Sequence, residues 1–182
     1  MTDAAKWRIV GARADAWVTA LVDEGLAKVD AGTPVAWRSP DAVAVGRSLR
    51  VVPRAVGAIP LVVARSALGG DEEAGVTLGA GDPAVRIATI PDCGCDACDS
   101  GSQDVLDELD QYVAGVVSGA FRWLSSGERT IRVLADGWNA SGMFQRGEVH
   151  AVIADPNGWE EVSGASWLME PSGGRSDQPP LG

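Results

Sequence analysis

The spacing of apolar residues divides the chain into two helical stretches on either side of a block of short β-rich runs. From Ala4 to Val29, apolar side chains recur at three- and four-residue steps, which predicts an amphipathic helix with one face in the core. Ala31-Gly32-Thr33-Pro34 is predicted to end it, because Gly and Pro close helices and start turns. Ser102–Val117 carries the clearest helical stripe, with acidic residues in its first turns, where the helix dipole favours them.

Between residues 35 and 90 the pattern changes to short apolar runs separated by Gly and Pro. Two Gly-containing segments, Gly69–Glu73 and Gly79–Pro83, are predicted turns. Because no helix-length segment is available for parallel crossovers, the strands are predicted to form an antiparallel meander. The four predicted strands are Ser48–Val52, Leu61–Arg65, Gly75–Leu78 and Val85–Ile90.

The last third of the chain is predicted to add a hairpin, a short helix and one strand. Phe121–Leu124 and Thr130–Leu134 have strand composition and flank a Ser- and Gly-containing turn, which indicates a hairpin. Glu148–Ala154 is a predicted helix, and a last strand is expected near Glu161–Trp167. These elements predict a single α+β domain over residues 1–170, with an antiparallel sheet packed against two main helices. Residues 171–182 are rich in Gly, Ser and Pro and are predicted to form a disordered tail.

The charge balance excludes some classes of partner. The 182 residues include 25 acidic and 15 basic side chains, for a net charge of −10, and no basic cluster. Nucleic acids and anionic membranes require clustered Lys and Arg, so neither is an expected partner. The start of the chain lacks the pattern of a signal peptide, and apolar stretches such as Ala58–Ala64 are far shorter than the ~20 residues of a membrane helix. We therefore predict a cytoplasmic protein.

All three cysteines lie within six residues, between a predicted strand and a predicted helix. Cys93, Cys95 and Cys98 have the spacing C-x-C-x-x-C, and Gly94 gives the loop conformational freedom for the thiolates to converge on one ion. We predict a structural zinc on these cysteines, although the local run lacks the fourth ligand that zinc requires. The candidates for the fourth ligand are His150, Asp92, Asp96 and Asp99.

Two other interpretations of the cysteine loop stay open. Cys95 and Cys98 form a C-x-x-C pair just before a helix N-terminus, where a thiol pKa can fall enough to give a reactive thiolate. The flanking aspartates oppose thiolate formation, and the loop lacks the βαβ context of thioredoxin-like sites. Alternatively, the loop is a simple strand-to-helix connection whose thiols behave as small apolar groups.

No catalytic residue is predicted elsewhere. A single histidine gives no metal-hydrolase pair, and no serine lies in a G-x-S-x-G elbow. Gly79–Pro83 resembles part of a phosphate loop but lacks the G-K-[ST] ending. Trp138, Trp159 and Trp167 lie near acidic residues, so they either pack in the core or form a pocket for a cationic ligand.

The cysteine segment Pro91–Gly101 also carries a resemblance, together with Gly81-Asp82-Pro83, Gly158-Trp159 and Val162–Trp167. With these motifs the chain resembles a family of uncharacterised actinobacterial proteins, a domain of unknown function, over most of its length. The resemblance implies a bacterial cytosolic origin and carries no activity, ligand or catalytic residue.

The expected function is therefore a non-catalytic binding or interaction protein, in which Cys93, Cys95 and Cys98 hold a structural zinc. The alternative is a thiol-dependent oxidoreductase or redox sensor that uses Cys95 and Cys98. A third class, a small-ligand binder that uses its tryptophans, predicts a change in fluorescence when its ligand is added.

Overall fold

A computed structural model describes residues 4–38, 45–68, 71–93 and 101–168 of the chain. It confirms the predicted α+β class and an antiparallel sheet packed against two main helices. Within the described residues, no helix has the length and apolar composition needed to cross a membrane. After a 3₁₀ turn at Ala4–Trp7, the elements are α1 Arg8–Asp23, β1 Ala27–Asp30, β2 Val45–Pro53, β3 Leu61–Leu68, β4 Asp71–Gly81, β5 Ala84–Ile90, α2 Ser102–Ser118, β6 Arg122–Ser126, β7 Arg129–Leu134, β8 Gly137–Ser141, α3 Glu148–Ala154 and β9 Glu160–Ser163.

The first sheet is an antiparallel meander in the order β1-β2-β3-β4-β5, so the predicted pairing is confirmed. All four predicted strands exist, but each continues beyond its predicted bounds. Two turn predictions were wrong in part. Asp71 already begins β4, and Gly79 pairs with Arg86, so the second turn is confined to Asp82 and Pro83. The glycines in β4 do not interrupt the strand. They lie where another chain segment comes close to it.

The predicted first helix was too long, because it ends at Asp23 rather than at Val29. Gly25 has a positive φ of 69°, and its N–H donates to the Val22 carbonyl at 2.9 Å. The Leu26 N–H donates to the Leu21 carbonyl at 3.0 Å, which completes a Schellman motif. The chain then leaves the helix and forms β1, which pairs with β2.

The two long helices pack on the same face of the first sheet and are joined by a polar contact. Asp110 of α2 accepts hydrogen bonds from Arg13 Nε at 2.9 Å and from Trp17 Nε1 at 2.6 Å, both on α1. Beneath α1, the buried Arg65 of β3 donates to the Gly11 carbonyl at 3.1 Å and to Asp15 at 2.6 Å. Gly11 has no side chain, which leaves room for this guanidinium.

A second antiparallel sheet has the order β8-β7-β6-β9. It contains the predicted hairpin as β6 and β7, and the predicted helix Glu148–Ala154 as α3. Strand β8 was not predicted, and the last strand ends at Ser163 rather than near Trp167. Trp167 is instead buried in the main core, where its backbone N–H donates to the Val117 carbonyl at 2.8 Å.

Candidate functional site

The second sheet has one apolar and one polar face. Because successive side chains of a strand point to opposite faces, Leu124 and Ile131 share the face that packs on Val149 and Val152 of α3. All four of these side chains are buried. The opposite face is directed at the first sheet rather than at open solvent. It presents Trp123, Ser125, Thr130, Arg132, Asn139 and Ser141, together with Leu134 and Val162, which pack on the main core.

A cleft of about 650 Å³ lies between this polar face, strand β5 of the first sheet and helix α2. Five consecutive residues, Val85–Thr89, line one wall. Since neighbouring side chains alternate between faces, a run of this kind means that the cleft follows the edge of β5, the outermost strand of its sheet. The volume lies within the range of small-molecule sites.

A three-residue segment, residues 36–38, connects the two sheets at one end of the cleft. Its backbone forms a parallel bridge to Ala84, with Ala84 N–H to Ala36 O at 2.7 Å and Arg38 N–H to Ala84 O at 2.9 Å. The Arg38 guanidinium is 2.9 Å from Glu160 of β9 and lies over the Trp123 ring, 5.9 Å from its centroid.

Trp37 is seated on Gly79 of the first sheet. A Cβ at Gly79 would lie 2.6 Å from the indole, so only glycine allows this approach. The ring thereby closes the end of the cleft against β4.

The other end of the cleft is acidic. Glu108 and Tyr112 are one turn apart on α2 and face Asp92 and Arg132. Burial raises the pKa of Glu108, and the charge of Asp92 adds to this, while hydrogen bonding with Tyr112 and the charge of Arg132 oppose it. Burial, followed by the Glu108 charge, also raises the pKa of Tyr112. This end therefore combines a carboxyl group that holds its proton more tightly with a phenol and a guanidinium.

A row of hydroxyl groups runs from the first sheet to the cleft. Ser66 Oγ and Thr77 Oγ1 are 2.6 Å apart, and Thr77 Oγ1 and Thr89 Oγ1 are 3.1 Å apart. Ser66 and Thr77 are buried, whereas Thr89 lines the cleft. The row gives buried hydroxyls their partners and ends at the site.

The predicted cysteine site lies next to the cleft, and only its first residue is described. Cys93 is exposed and directly follows the cleft residue Asp92, whereas Cys95 and Cys98 lie outside the described residues, as do Asp96 and Asp99. In the part of the chain that the structure covers, no three His, Cys, Asp or Glu side chains converge on a metal position. The zinc assignment stays a prediction.

One candidate for the fourth ligand, His150, lies on α3, which packs on the other face of the second sheet. Its ring meets Trp138 edge-on, with the centroids 5.4 Å apart. Among the candidates that the structure describes, Asp92 is thus the one that adjoins the cysteine loop.

The three C-terminal tryptophans do not form one pocket. Trp167 is 1% exposed in the main core, and Trp159 stacks on Phe144 with its centroid 6.0 Å away. The indoles that line the cleft are Trp37 and Trp123, which the sequence did not single out. The available signal was in β7, where the polar Thr130 and Arg132 flank the buried Ile131.

Comparison with known proteins places the chain in one family. The model of a family described as a family of unknown function (DUF6226) matches residues 1–169. No curated protein and no solved structure matches the chain.

Proposed function

For this chain, which belongs to the DUF6226 family of unknown function, we propose a non-catalytic binding function centred on the cleft between the two sheets. The observation that carries the proposal is the set of polar side chains on the inner face of the second sheet, which line about 650 Å³ of open space although Val162 and Leu134 of the same face pack on the main core. A face needed only for stability would be apolar there, because apolar burial stabilises by about 25 cal/mol per Å².

The side chains that line the cleft support a binding site rather than a packing defect. Three half-buried rings, Trp37, Tyr112 and Trp123, provide apolar surface, and charged groups stand at both ends. Concave sites with aromatic walls and a few placed polar groups are the usual form of small-molecule sites.

The test is thermal unfolding of the protein with a panel of anionic, cationic and neutral small molecules. A ligand at a hundred times its dissociation constant adds about 2.7 kcal/mol, which raises the Tm by roughly 5–10 °C for a chain of this size. The variant Thr130→Trp places an indole in the cleft and should abolish the shift. Ser141→Trp is a second cleft-filling variant, in case the first does not fold.

The matched control is Ala151→Trp, which adds the same ring at an exposed position on α3, on the other side of the second sheet. It should keep the full shift. The proposal is rejected if no compound raises the Tm, or if compounds stabilise both cleft-filling variants as much as the unchanged protein.

A structural zinc on Cys93, Cys95 and Cys98 remains our proposal for the cysteine loop. The position of Asp92 beside Cys93 supports it, since a carboxylate there can supply an oxygen ligand. Elemental analysis of protein purified without chelator should find about one zinc per chain, and Cys93→Ser should lose it. Thiolate ligands also make the affinity fall as the pH drops. A protein that contains no zinc contradicts this proposal.

The thiol-dependent alternative on Cys95 and Cys98 has a different signature. One thiol should be alkylated well below the ordinary cysteine pKa of about 8.5. Alkylation of all three cysteines with ordinary pH dependence counts against an oxidoreductase or sensor.

We further propose a cytoplasmic location and a partner that is neither nucleic acid nor membrane. The net charge of −10 supports this, because like charges repel phosphates and anionic lipids. Co-sedimentation with anionic vesicles or retention of labelled DNA at physiological salt would contradict it.

A further inference from the structure

We propose that the ligand of the cleft is a planar organic anion, an aromatic ring that carries one carboxylate or phosphate group. The ring packs beside Trp123, and the anionic group meets the guanidinium group of Arg38. This inference rests on the proposed binding function and names the chemical class that the cleft selects.

Two guanidinium groups flank the same indole. Arg38 lies over the Trp123 ring, 5.9 Å from its centroid. Arg132 is directly opposite Trp123 in the β6–β7 register, which places their Cβ atoms about 5 Å apart. Both residues line the cleft beside a ring that is half-buried. Arg132 is already engaged by Tyr112 and Glu108, which leaves Arg38 as the donor for an anion. A planar anion can therefore use the indole face and a forked donor at the same time.

The local charge opposes the charge of the whole chain. The protein carries −10, yet the cleft is lined by three of its 15 basic residues, Arg38, Arg86 and Arg132, against two acidic ones, Asp92 and Glu108. The surrounding negative charge acts weakly over more than about 8–10 Å, because salt screens it. The side chain of Glu160, which pairs with Arg38, is 71% exposed, so solvent weakens that pair and leaves the guanidinium able to attract an anion.

The acidic end of the cleft limits the ligand to one anionic group. Asp92 and Glu108 repel a second carboxylate or phosphate there, but their oxygens can accept hydrogen bonds from hydroxyl or amino groups. Dicarboxylates that span the cleft should therefore bind worse than the single-anion compounds.

The test uses four probes of similar size with isothermal titration calorimetry. 2-Naphthoate and 2-naphthyl phosphate carry the ring and one anionic group, and together they show whether carboxylate or phosphate is preferred. Decalin-2-carboxylate has the charge without the planar ring, and 2-naphthylmethylamine has the ring with a positive charge. We expect the aromatic anions to bind at least about tenfold more tightly than the other two, since stacking and a charge-assisted hydrogen bond each contribute at that level.

Two substitutions that break the same ion pair should act in opposite directions. Arg38→Gln removes a guanidinium from the cleft and should weaken binding of the aromatic anions about tenfold. Glu160→Gln removes the competing carboxylate and should strengthen binding several-fold. If the pair served only to hold the sheets together, both variants would weaken binding alike. Trp123→Leu should reduce the preference for the planar ring while the protein stays folded by circular dichroism.

The outcomes separate this inference from the proposed function. Tighter binding of 2-naphthylmethylamine or of decalin-2-carboxylate, blocked by Thr130→Trp, would overturn the planar anion but keep the cleft as a binding site. Equal effects of Arg38→Gln and Glu160→Gln would also overturn it. If none of the four probes binds, while another member of the broader panel still shifts the Tm through the cleft, the ligand class is wrong and the site is kept.

Discussion

The two faces of the second sheet come from the same strands but have opposite chemistry. On one face, Leu124 and Ile131 are fully buried against α3. On the other, Thr130 and Arg132 remain half-buried beside a cleft. Both faces are covered by other elements, so solvent exposure alone does not explain the difference.

The difference separates stability from recognition. An apolar face that packs closely stabilises the fold, and each buried side chain there contributes about 1.5–3 kcal/mol. A polar face turned towards another sheet gives up that gain. The domain can fold without this stabilisation because most of the buried apolar side chains lie in the main core, which the first sheet forms with α1 and α2. The cleft side is the face for which we propose a binding function.

The largest expected effect tests the apolar face. Leu124→Ala should reduce the free energy of unfolding by about 3 kcal/mol, because it leaves a cavity between β6 and α3. Urea denaturation measures this directly. A loss below about 1 kcal/mol would show that α3 packs loosely, and would contradict the view that the apolar face stabilises the second sheet.

The next effect concerns the wall of the cleft formed by Trp37. Gly79→Ala adds a Cβ 2.6 Å from the indole, so the ring must shift, at a cost of about 1–3 kcal/mol. Tryptophan emission should also change as the indole becomes more exposed. An unchanged spectrum and an unchanged unfolding free energy would mean that Trp37 does not rest on Gly79 in solution.

Glu161 tests electrostatics away from the cleft. Hydrogen bonding with Arg122, at 2.8 Å, lowers the pKa of Glu161. Its contribution is therefore present above the unfolded-state pKa, near 4.3, and is lost as the pH falls through the lower folded-state pKa. Glu161→Gln should cost about 0.5–1 kcal/mol at pH 7, and this cost should shrink as the pH falls below about 4.3. A cost that does not change with pH would contradict this cause.

Glu108 should behave in the opposite way, because burial raises its pKa. A raised pKa favours the folded state below the unfolded-state pKa, near 4.3, and this advantage is lost as the pH rises through the folded-state pKa. Glu108→Gln should thus be as stable as the unchanged protein at pH 7 or more stable by a few tenths of a kcal/mol, given solvent screening. Thermal unfolding of Glu108→Gln and of the unchanged protein, each at pH 7 and pH 3, measures this difference in stability. Clear destabilisation at pH 7 would assign Glu108 a structural role.

The smallest effect is expected on the polar face itself. Thr130→Val keeps the shape and the β-branched side chain, so the unfolding free energy should change by less than about 0.5 kcal/mol. Naphthoate binding should nevertheless fall if the hydroxyl contributes to the site. A large change in stability would show that this face is structural after all.

Local sequence patterns were sufficient to predict most of the helices and strands. Strands β2 to β5 follow from β-rich runs between Gly and Pro, whereas most of β1 was assigned to the first helix; α3 ends where Asp155 and Pro156 interrupt the helix. The end of α1 was misplaced because Gly25 acts as a helix-terminating glycine, while the apolar spacing continues past it. Strand β8, Gly137–Ser141, was missed because it is an exposed edge strand with little apolar character.

The cleft could not be predicted in the same way. Its residues come from segments that are distant in sequence, and a local pattern does not show which strands share a sheet. The alternation of Thr130, Ile131 and Arg132 indicates one polar face, but not that this face turns towards another sheet. Trp37 gave no signal either, because its position depends on contact with Gly79, which is more than forty residues away in the sequence.

The hydroxyl row from Ser66 through Thr77 to Thr89 has a consequence for the kind of group that the cleft can accept. Each hydroxyl carries a single proton and can accept twice, so Thr89 either accepts from Thr77 and keeps its own proton for the cleft, or donates to Thr77 and offers its lone pairs to the cleft. Rotation of the O–H bonds exchanges these two arrangements without moving a heavy atom. Thr89 can thereby change from proton donor to acceptor to suit the atom it meets, and the fold supplies one contact whose polarity the ligand decides.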